Sequence, residues 1–575
     1  MLVTRNPLPY EDVRMSDTTH SALPRQVADD YVDAFIELDP IAGTYLGVEE
    51  SSSRLPDFSP AGQEALAELA RATLVKLDAA EQLPGADSDA ERRCGRLLRE
   101  RLMAELAVHE ADESLRAVSN LHSPAHSVRE VLTVTPTETD ENWAAIVERL
   151  RAVPAALEGY RASLALGLDR KLYGGPRATT TFVGQLAEWI GDNGTGFFQS
   201  FVAPGPDALR ADLDDAARQA TESLVALRDW MRDVYAPAIE GAPDTVGRER
   251  YARWSRYFNG TDLDLDEAYA YGWSEYHRLL AEMKTEAEKV LPGAGPWEAL
   301  AHLDAHGKHI EGVDEVQAWL QGLMDEAIEA LDGTHFELAE RVRKVESRIA
   351  PPGGAAAPYY TGPSEDFSRP GRTWLPTMGE TRFPVYDLVS TWYHEGVPGH
   401  HLQIAQWTHV ADSLSRYQAS IGMVSANAEG WALYAERLMD ELGFLPDAER
   451  RLGYLDAQMM RACRVIVDIG MHAEMEIPAD SPFHPGERWT PDLAQEFFGN
   501  HSGRPADFVE SELTRYLSMP GQAIGYKLGE RAWLLGRENA RKAHGDAFDA
   551  KAWHMAALSQ GPLGLDDLVD ELSKL

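Results

Sequence analysis

Cysteine is scarce in this chain of 575 residues, which has only Cys94 and Cys463. That excludes a disulfide framework and a zinc site built from several thiolates. So low a cysteine content suits a reducing cytoplasm, the expected location. Cations are also in short supply: 54 Lys and Arg stand against 93 Asp and Glu, for a formal net charge of -39. Nucleic-acid binding needs a field of Lys and Arg facing phosphates. No basic stripe or basic–aromatic interleaving is present, so nucleic acid is not an expected partner, and neither is an anionic membrane surface. No stretch approaches 18 consecutive apolar residues, so no membrane span is expected. Residues 1–20 carry no apolar run resembling a signal peptide, and Met15 is a second possible start. Also missing are a GxSxG nucleophile elbow, a phosphate-cradling GxxxxGK[ST] loop and a GxGxxG turn, which removes serine-hydrolase and nucleotide-binding readings as defaults.

What is present is a core-forming, mainly helical sequence. Apolar residues make up 44% of it, which rules out general disorder. The length fits several units or one large two-lobed helical body. Apolar residues recur every three or four positions over 27–47, 63–108, 141–166, 206–234, 264–290 and 315–345, so helices are predicted there. A run rich in Pro, Gly and Ala from Ala350 to Pro358 interrupts the pattern. Aromatic and β-branched residues among turn signals then predict short strands near Tyr359-Tyr360 and Arg372–Leu375. Helices resume after Pro384. The predicted organisation is a loose N-terminal arm over 1–25, a helical lobe over 26–350, and a lobe over 351–575 with short strands followed by the helices that carry the chemistry.

The most informative segment reads Thr-Trp-Tyr-His394-Glu395-Gly-Val-Pro-Gly-His400-His401-Leu-Gln. In HExxH zinc peptidases two histidines at i and i+4 share one helical face and one metal, and the intervening Glu is a general base. Here Pro398 stands where the second His would be. On an unbroken helix His401 would lie about 10 Å further along and His400 about 120° around from His394. Metal–nitrogen bonds of about 2 Å cannot bridge either gap. Pro398, which has no N–H, and the permissive Gly399 would allow a bulge that loops two residues outward and brings His400 to an i+4-like position. His400 is therefore favoured over His401 as second ligand, with His401 facing substrate or supporting the site. A third ligand is expected from Ser425-Ala-Asn-Ala-Glu429-Gly-Trp-Ala-Leu-Tyr-Ala-Glu436, a helix start that can return antiparallel. Glu429 is preferred and Glu436, two turns on, competes. Two His, one Glu and an open position make a catalytic zinc set, one Zn2+ per chain.

The segments HEGVPGHHLQ, NAEGWALYAERL, RACRVIVDIGMHA and RYLSMPGQAIGYKLGE, with LDPIAGTYLG and LDLDEAYAYGWSEYHRL earlier, resemble the bacterial family known as domain of unknown function 885. The resemblance covers most of the chain. That family looks like a distant relative of zincin metallopeptidases, especially the helical two-lobed ones with a Glu third ligand. The dipeptidyl-peptidase III family is similar in having a lengthened HExxxH motif. The resemblance implies a metal-dependent hydrolase with a mainly α, metallopeptidase-like body, a deep cleft and a small β element by the active site.

The expected chemistry is hydrolysis of a peptide or amide bond in a small substrate by metal-activated water, with Glu395 as general base. Tyr526 and His472 are expected oxyanion donors, and Arg461, Arg464 and Arg515 expected partners of a substrate carboxylate. The alternative is a non-catalytic metal- or peptide-binding protein. Other features read as structural. His302 and His306 have ligand spacing without a Glu and look like solvated surface. His122 and His126 flank Pro124. Tyr269, Tyr271, Trp273 and Tyr276 read as core.

Overall fold

The computed structural model describes residues 22–192, 194–350 and 357–575. The fold is mainly helical with a few small strands, as expected. Most of the arm expected over 1–25, and residues 351–356 of the Pro/Gly-rich break, lie outside the described residues, and Pro24 already opens a helix.

Several predicted helices are divided by their own punctuation. Residues 27–47 form Pro24–Leu38 and Pro40–Leu46, where Asp39 caps the second helix by accepting from Ile41 and Ala42 N–H. The 63–108 stretch becomes Pro60–Ala80 and Asp89–Glu110. Asp140–Asp169 and Leu265–Val290 follow the predicted spans closely. Tyr269, Trp273 and Tyr276 are core residues, and the half-buried Tyr271 packs under Arg531.

The helix expected over 315–345 needs correction. It is Val313–Leu331, and the chain then turns and forms a strand, Val345–Ile349. This strand pairs in parallel with Gly371–Leu375, which pairs antiparallel with Tyr359–Thr361. Both of the latter fall where strands were expected. A two-stranded sheet joins His309–Glu311 to Arg382–Pro384 and feeds directly into the helix Val385–Glu395.

The apolar interior forms two clusters among the described residues. The smaller lies within residues 118–239. The larger runs from Val27 to Leu572 and draws helices from both sides of residue 350, so the break in composition is not a break in the core. At the centre of the larger cluster is the helix Ala448–His472, buried at every position from Leu452 onward. A helix enclosed on all faces is normally apolar all round, yet this one carries Asp456, Gln458, Arg461, Arg464, Asp468 and His472. The helices Val385–Glu395, Ser425–Glu441 and Gly525–His544 pack beside it.

Candidate metal centre

The helix Val385–Glu395 ends at Glu395, and a new helix, His400–His409, starts after four intervening residues. The expected bulge is therefore a full break between two helices rather than a loop within one. Pro398 supplies no N–H and Gly399 has ψ -131, far from helical. The Val397–Pro398 bond is cis. Four hydrogen bonds hold the turn. Gly399 N–H donates to Tyr393 O (3.0 Å) and His401 N–H to Gly396 O (3.1 Å), and the Trp431 indole donates to the carbonyls of Pro398 (2.9 Å) and Gly399 (3.1 Å). Only glycine fits at 399, because a Cβ there would stand 1.9 Å from His394 O.

The break turns the imidazoles of His394 and His400 toward each other, with ring centres 4.8 Å apart and planes at 85°. The helix Ser425–Glu441 meets them from the side. Glu429 and Glu436 are two turns apart and share one face. Glu429 Oε2 lies 3.4 Å from His394 Nε2 and 3.4 Å from His400 Nε2. Glu436 Oε1 accepts from His394 Nδ1 at 2.8 Å and Oε2 accepts from Ser390. That bond favours a proton on Nδ1, which leaves Nε2, beside Glu429, as the nitrogen available to a metal. Arg461 Nη2 stands 3.8 Å from Glu436 Oε1.

Among the described residues, His394, His400 and Glu429 form the group that could hold a metal, with ligand atoms all within 4.8 Å of one another. Glu429 Oε2 is buried and has no hydrogen-bond partner. Donors bound at about 2.0–2.1 Å to a tetrahedral ion stand roughly 3.4 Å apart, which matches both Glu429–imidazole separations. The set therefore fits a divalent ion such as zinc. Glu436, the competing ligand, instead fixes His394 from behind.

Burial works against charge on His394, but Glu429 and Glu436 outweigh it and raise its pKa. Burial would also raise the Glu429 carboxyl, yet His394 and His400 hold it well below the ordinary carboxylate range. Glu395, 7% exposed, is pushed up to about 8 by burial, with His400 opposing and Glu429 reinforcing the shift.

Tyr526 is brought to this site. Its ring lies 6.2 Å from that of His394 and nearly parallel to it. Close backbone packing makes this approach possible, since a Cβ on Gly430 would fall 2.3 Å from Gly529 C. Arg464 Cζ is 4.6 Å and Arg461 Cζ 6.0 Å from the Tyr526 ring centre. Arg515 joins through Glu512, which accepts from Arg464 and Arg515.

Two expected site residues are not brought there. His401 is fully buried; its Nε2 donates to Val342 O (2.6 Å) and its Nδ1 accepts from Tyr360 OH (3.0 Å). Burial lowers its pKa to about 4. It pins the second helix to the small sheet rather than facing substrate. His472, expected as an oxyanion donor, accepts at Nδ1 from Val246 N–H (3.1 Å) and donates from Nε2 to Tyr516 O (3.1 Å). Both of its nitrogens are committed, and burial lowers its pKa to about 4. Sequence reasoning missed Ser390 and Trp431. Ser390 precedes His394 by one helical turn, a spacing that already puts the two on one face, whereas Trp431 gives no such signal.

Among the described residues no helix is long and apolar enough to cross a membrane. No curated protein matches the sequence. Solved structures match its fold. "The putative lipoprotein from Colwellia psychrerythraea" superposes with a TM-score of 0.79 at 20% identity, covering 96% of this chain and 98% of that one. "A putative lipoprotein of unknown function from Shewanella oneidensis" gives 0.71 at 18% identity, covering 96% and 100%. A family model described as bacterial protein of unknown function (DUF885) matches residues 40–572, and the chain belongs to that family.

Proposed function

We propose that the protein is a zinc-dependent hydrolase of peptide or amide bonds in small substrates, distantly related to zincin metallopeptidases through an extended HExxPGHH motif. One observation carries this reading: two imidazole nitrogens and a buried carboxylate oxygen that no hydrogen bond satisfies converge at ligand spacing, with Glu395 next to one of the ligands in sequence. Zn2+ in such a set supplies Lewis acidity and makes bound water more acidic. The chain's own groups do the rest. Glu436 holds the His394 tautomer. Glu395 moves the proton between nucleophile and leaving amine, and a carboxyl poised near neutrality suits both halves of that transfer. Tyr526, its hydroxyl kept protonated by burial, is the candidate donor to a developing oxyanion.

The substrate class rests on analogy with two-lobed helical peptidases. Neither nucleic acid nor membrane is a proposed partner. The cysteine-poor composition suits the cytoplasm and equally an extracytoplasmic location, while the neighbours described as lipoproteins favour the envelope; fractionation of cells expressing the native gene separates the two.

Metal analysis of the purified protein, followed by peptide-library hydrolysis with wild type and Glu395→Gln, tests the proposal. One zinc per chain and turnover lost in the variant are expected. Zinc binding without turnover would leave a metal- or peptide-binding protein, and equal turnover by both forms would remove Glu395 from the mechanism.

A further inference from the structure

Buried guanidinium groups persist where they are paired or used. The helix Ala448–His472 buries Arg461 and Arg464 at 7% and 5% exposure, and the helix Ala506–Ser518 adds Arg515 at 9%. The positive charges of Arg464 and Arg515 converge on one oxygen: Glu512 Oε2 accepts from Arg464 Nη2 (2.7 Å), Arg515 Nη2 (2.8 Å) and Tyr516 OH (2.6 Å). Arg464 Nε donates to Tyr516 OH and Arg515 Nη1 to Gln522 Oε1. Arg464 Nη1 and Arg515 Nε remain as buried donors without a hydrogen-bond partner. The next acid, Asp468, does not supply a full countercharge, because burial pushes its carboxyl up to about 7 while it accepts from Tyr251 OH and Gly521 N–H. Two guanidinium groups thus face one firmly ionised carboxylate, one aromatic ring away from His394.

The smaller core closes on this point. Ser119 Oγ meets Ser518 Oγ at 3.1 Å, and Asn120 donates to Ser511 O at 3.1 Å, both on the stretch that bears Arg515. His122, on the same turn, is open to solvent yet feels enough surrounding protein, and the Arg515 charge, to have its pKa lowered.

We propose that Arg464 and Arg515 bind a carboxylate of the substrate beside the candidate metal centre. A carboxylate matches spare, planar N–H donors better than any neutral group. The proposal rests on the hydrolase reading for calling the ligand a substrate, but the binding it describes needs no turnover. The carboxylate can belong to a peptide C-terminus or to an acidic side chain.

Calorimetric titration of the metal-free full chain separates these sources and keeps the result independent of hydrolysis. Three probes serve: N-acetyl-alanyl-alanine, its C-terminal amide, and N-acetyl-glutamyl-alanine amide. At least one carboxylate probe is expected to bind roughly tenfold or more tightly than the neutral amide. Preference for the free acid identifies the C-terminus, and preference for the glutamyl amide identifies a side chain. Equal binding of all three, or binding of none, overturns the proposal. The double variant Arg464→Gln/Arg515→Gln is expected to lose the preference, and an intact preference in the folded variant overturns the assignment to these residues. The wild-type comparison needs no variant to fold and decides on its own. Absence of hydrolysis with carboxylate preference intact would sink the hydrolase reading and leave this one standing.

Discussion

Glu429 and Glu436 look alike in sequence, but the structure gives them different tasks, so their removal should have different consequences. Glu436→Gln keeps the shape and an oxygen able to accept from His394 Nδ1, but removes the charge that now sits 2.8 Å from that nitrogen. Loss of such an outer partner typically weakens metal binding about 10–100-fold, or about 1.4–2.7 kcal/mol. Glu429→Gln removes a buried carboxylate 3.4 Å from both imidazole nitrogens. Breaking a buried charged contact from one side costs about 3–5 kcal/mol, which is roughly 10²–10⁴-fold. Zinc competition against a chromophoric chelator, at fixed pH and with folding checked by near-UV circular dichroism, measures both losses. The expected order is wild type, then Glu436→Gln, then Glu429→Gln. A larger loss in Glu436→Gln would exchange the two roles. Unchanged affinity in both would mean that zinc, if bound, sits elsewhere.

Two further outcomes are expected. Gly399→Ala would force a Cβ against the backbone carbonyls of His394 and Tyr393, at 1.9 and 2.4 Å, which have no side-chain freedom to yield; a destabilisation of about 3 kcal/mol is expected, and an unchanged melting temperature would refute the tightness of the turn. The Glu512 carboxyl is held down to about 2: burial opposes ionisation, but Arg515 and Arg464 outweigh it. Its contribution to stability is therefore complete above its ordinary pKa of 4.5 and is lost as pH falls from there through about 2. Urea midpoints of wild type and Glu512→Gln should accordingly converge below pH 4.5, and a gap that stays constant down to pH 3 would refute the pairing.

Local periodicity made the helices legible, because an apolar stripe of period 3.6 is written in neighbouring residues. It failed where the deciding partner is distant. Residues 332–345 hold good helix formers, yet Val345–Ile349 is a strand because Gly371–Leu375 offers it a parallel edge. The same limit governs the site. His394 and His400 could be read from spacing and from the need for a break at Pro398-Gly399. His401 and His472 could not be placed, because the groups that occupy their nitrogens, Val342 O and Tyr360 OH for one and Val246 N–H and Tyr516 O for the other, come from remote segments. A histidine's chemistry depends on what its second nitrogen touches, and that is a tertiary fact.

The unusual spacing between His394 and His400 follows from where the site takes its register. When two ligands share one helix, the helix itself sets their separation. Here they sit on two helices, and the separation is set by a third. Ser425–Glu441 supplies Glu429 directly. Two residues later it supplies Trp431, whose indole grips the carbonyls of Pro398 and Gly399 and so fixes the residue before His400. Seven residues after Glu429 it supplies Glu436, which orients His394. All three donor atoms are thus referred to one rigid element, and the turn between the histidines is free to be longer than one helical turn. The six-residue step costs nothing in ligand geometry as long as Glu429, Trp431 and Glu436 keep their relative phase, so an insertion within 430–435 should be far more damaging to the site than a substitution at Val397.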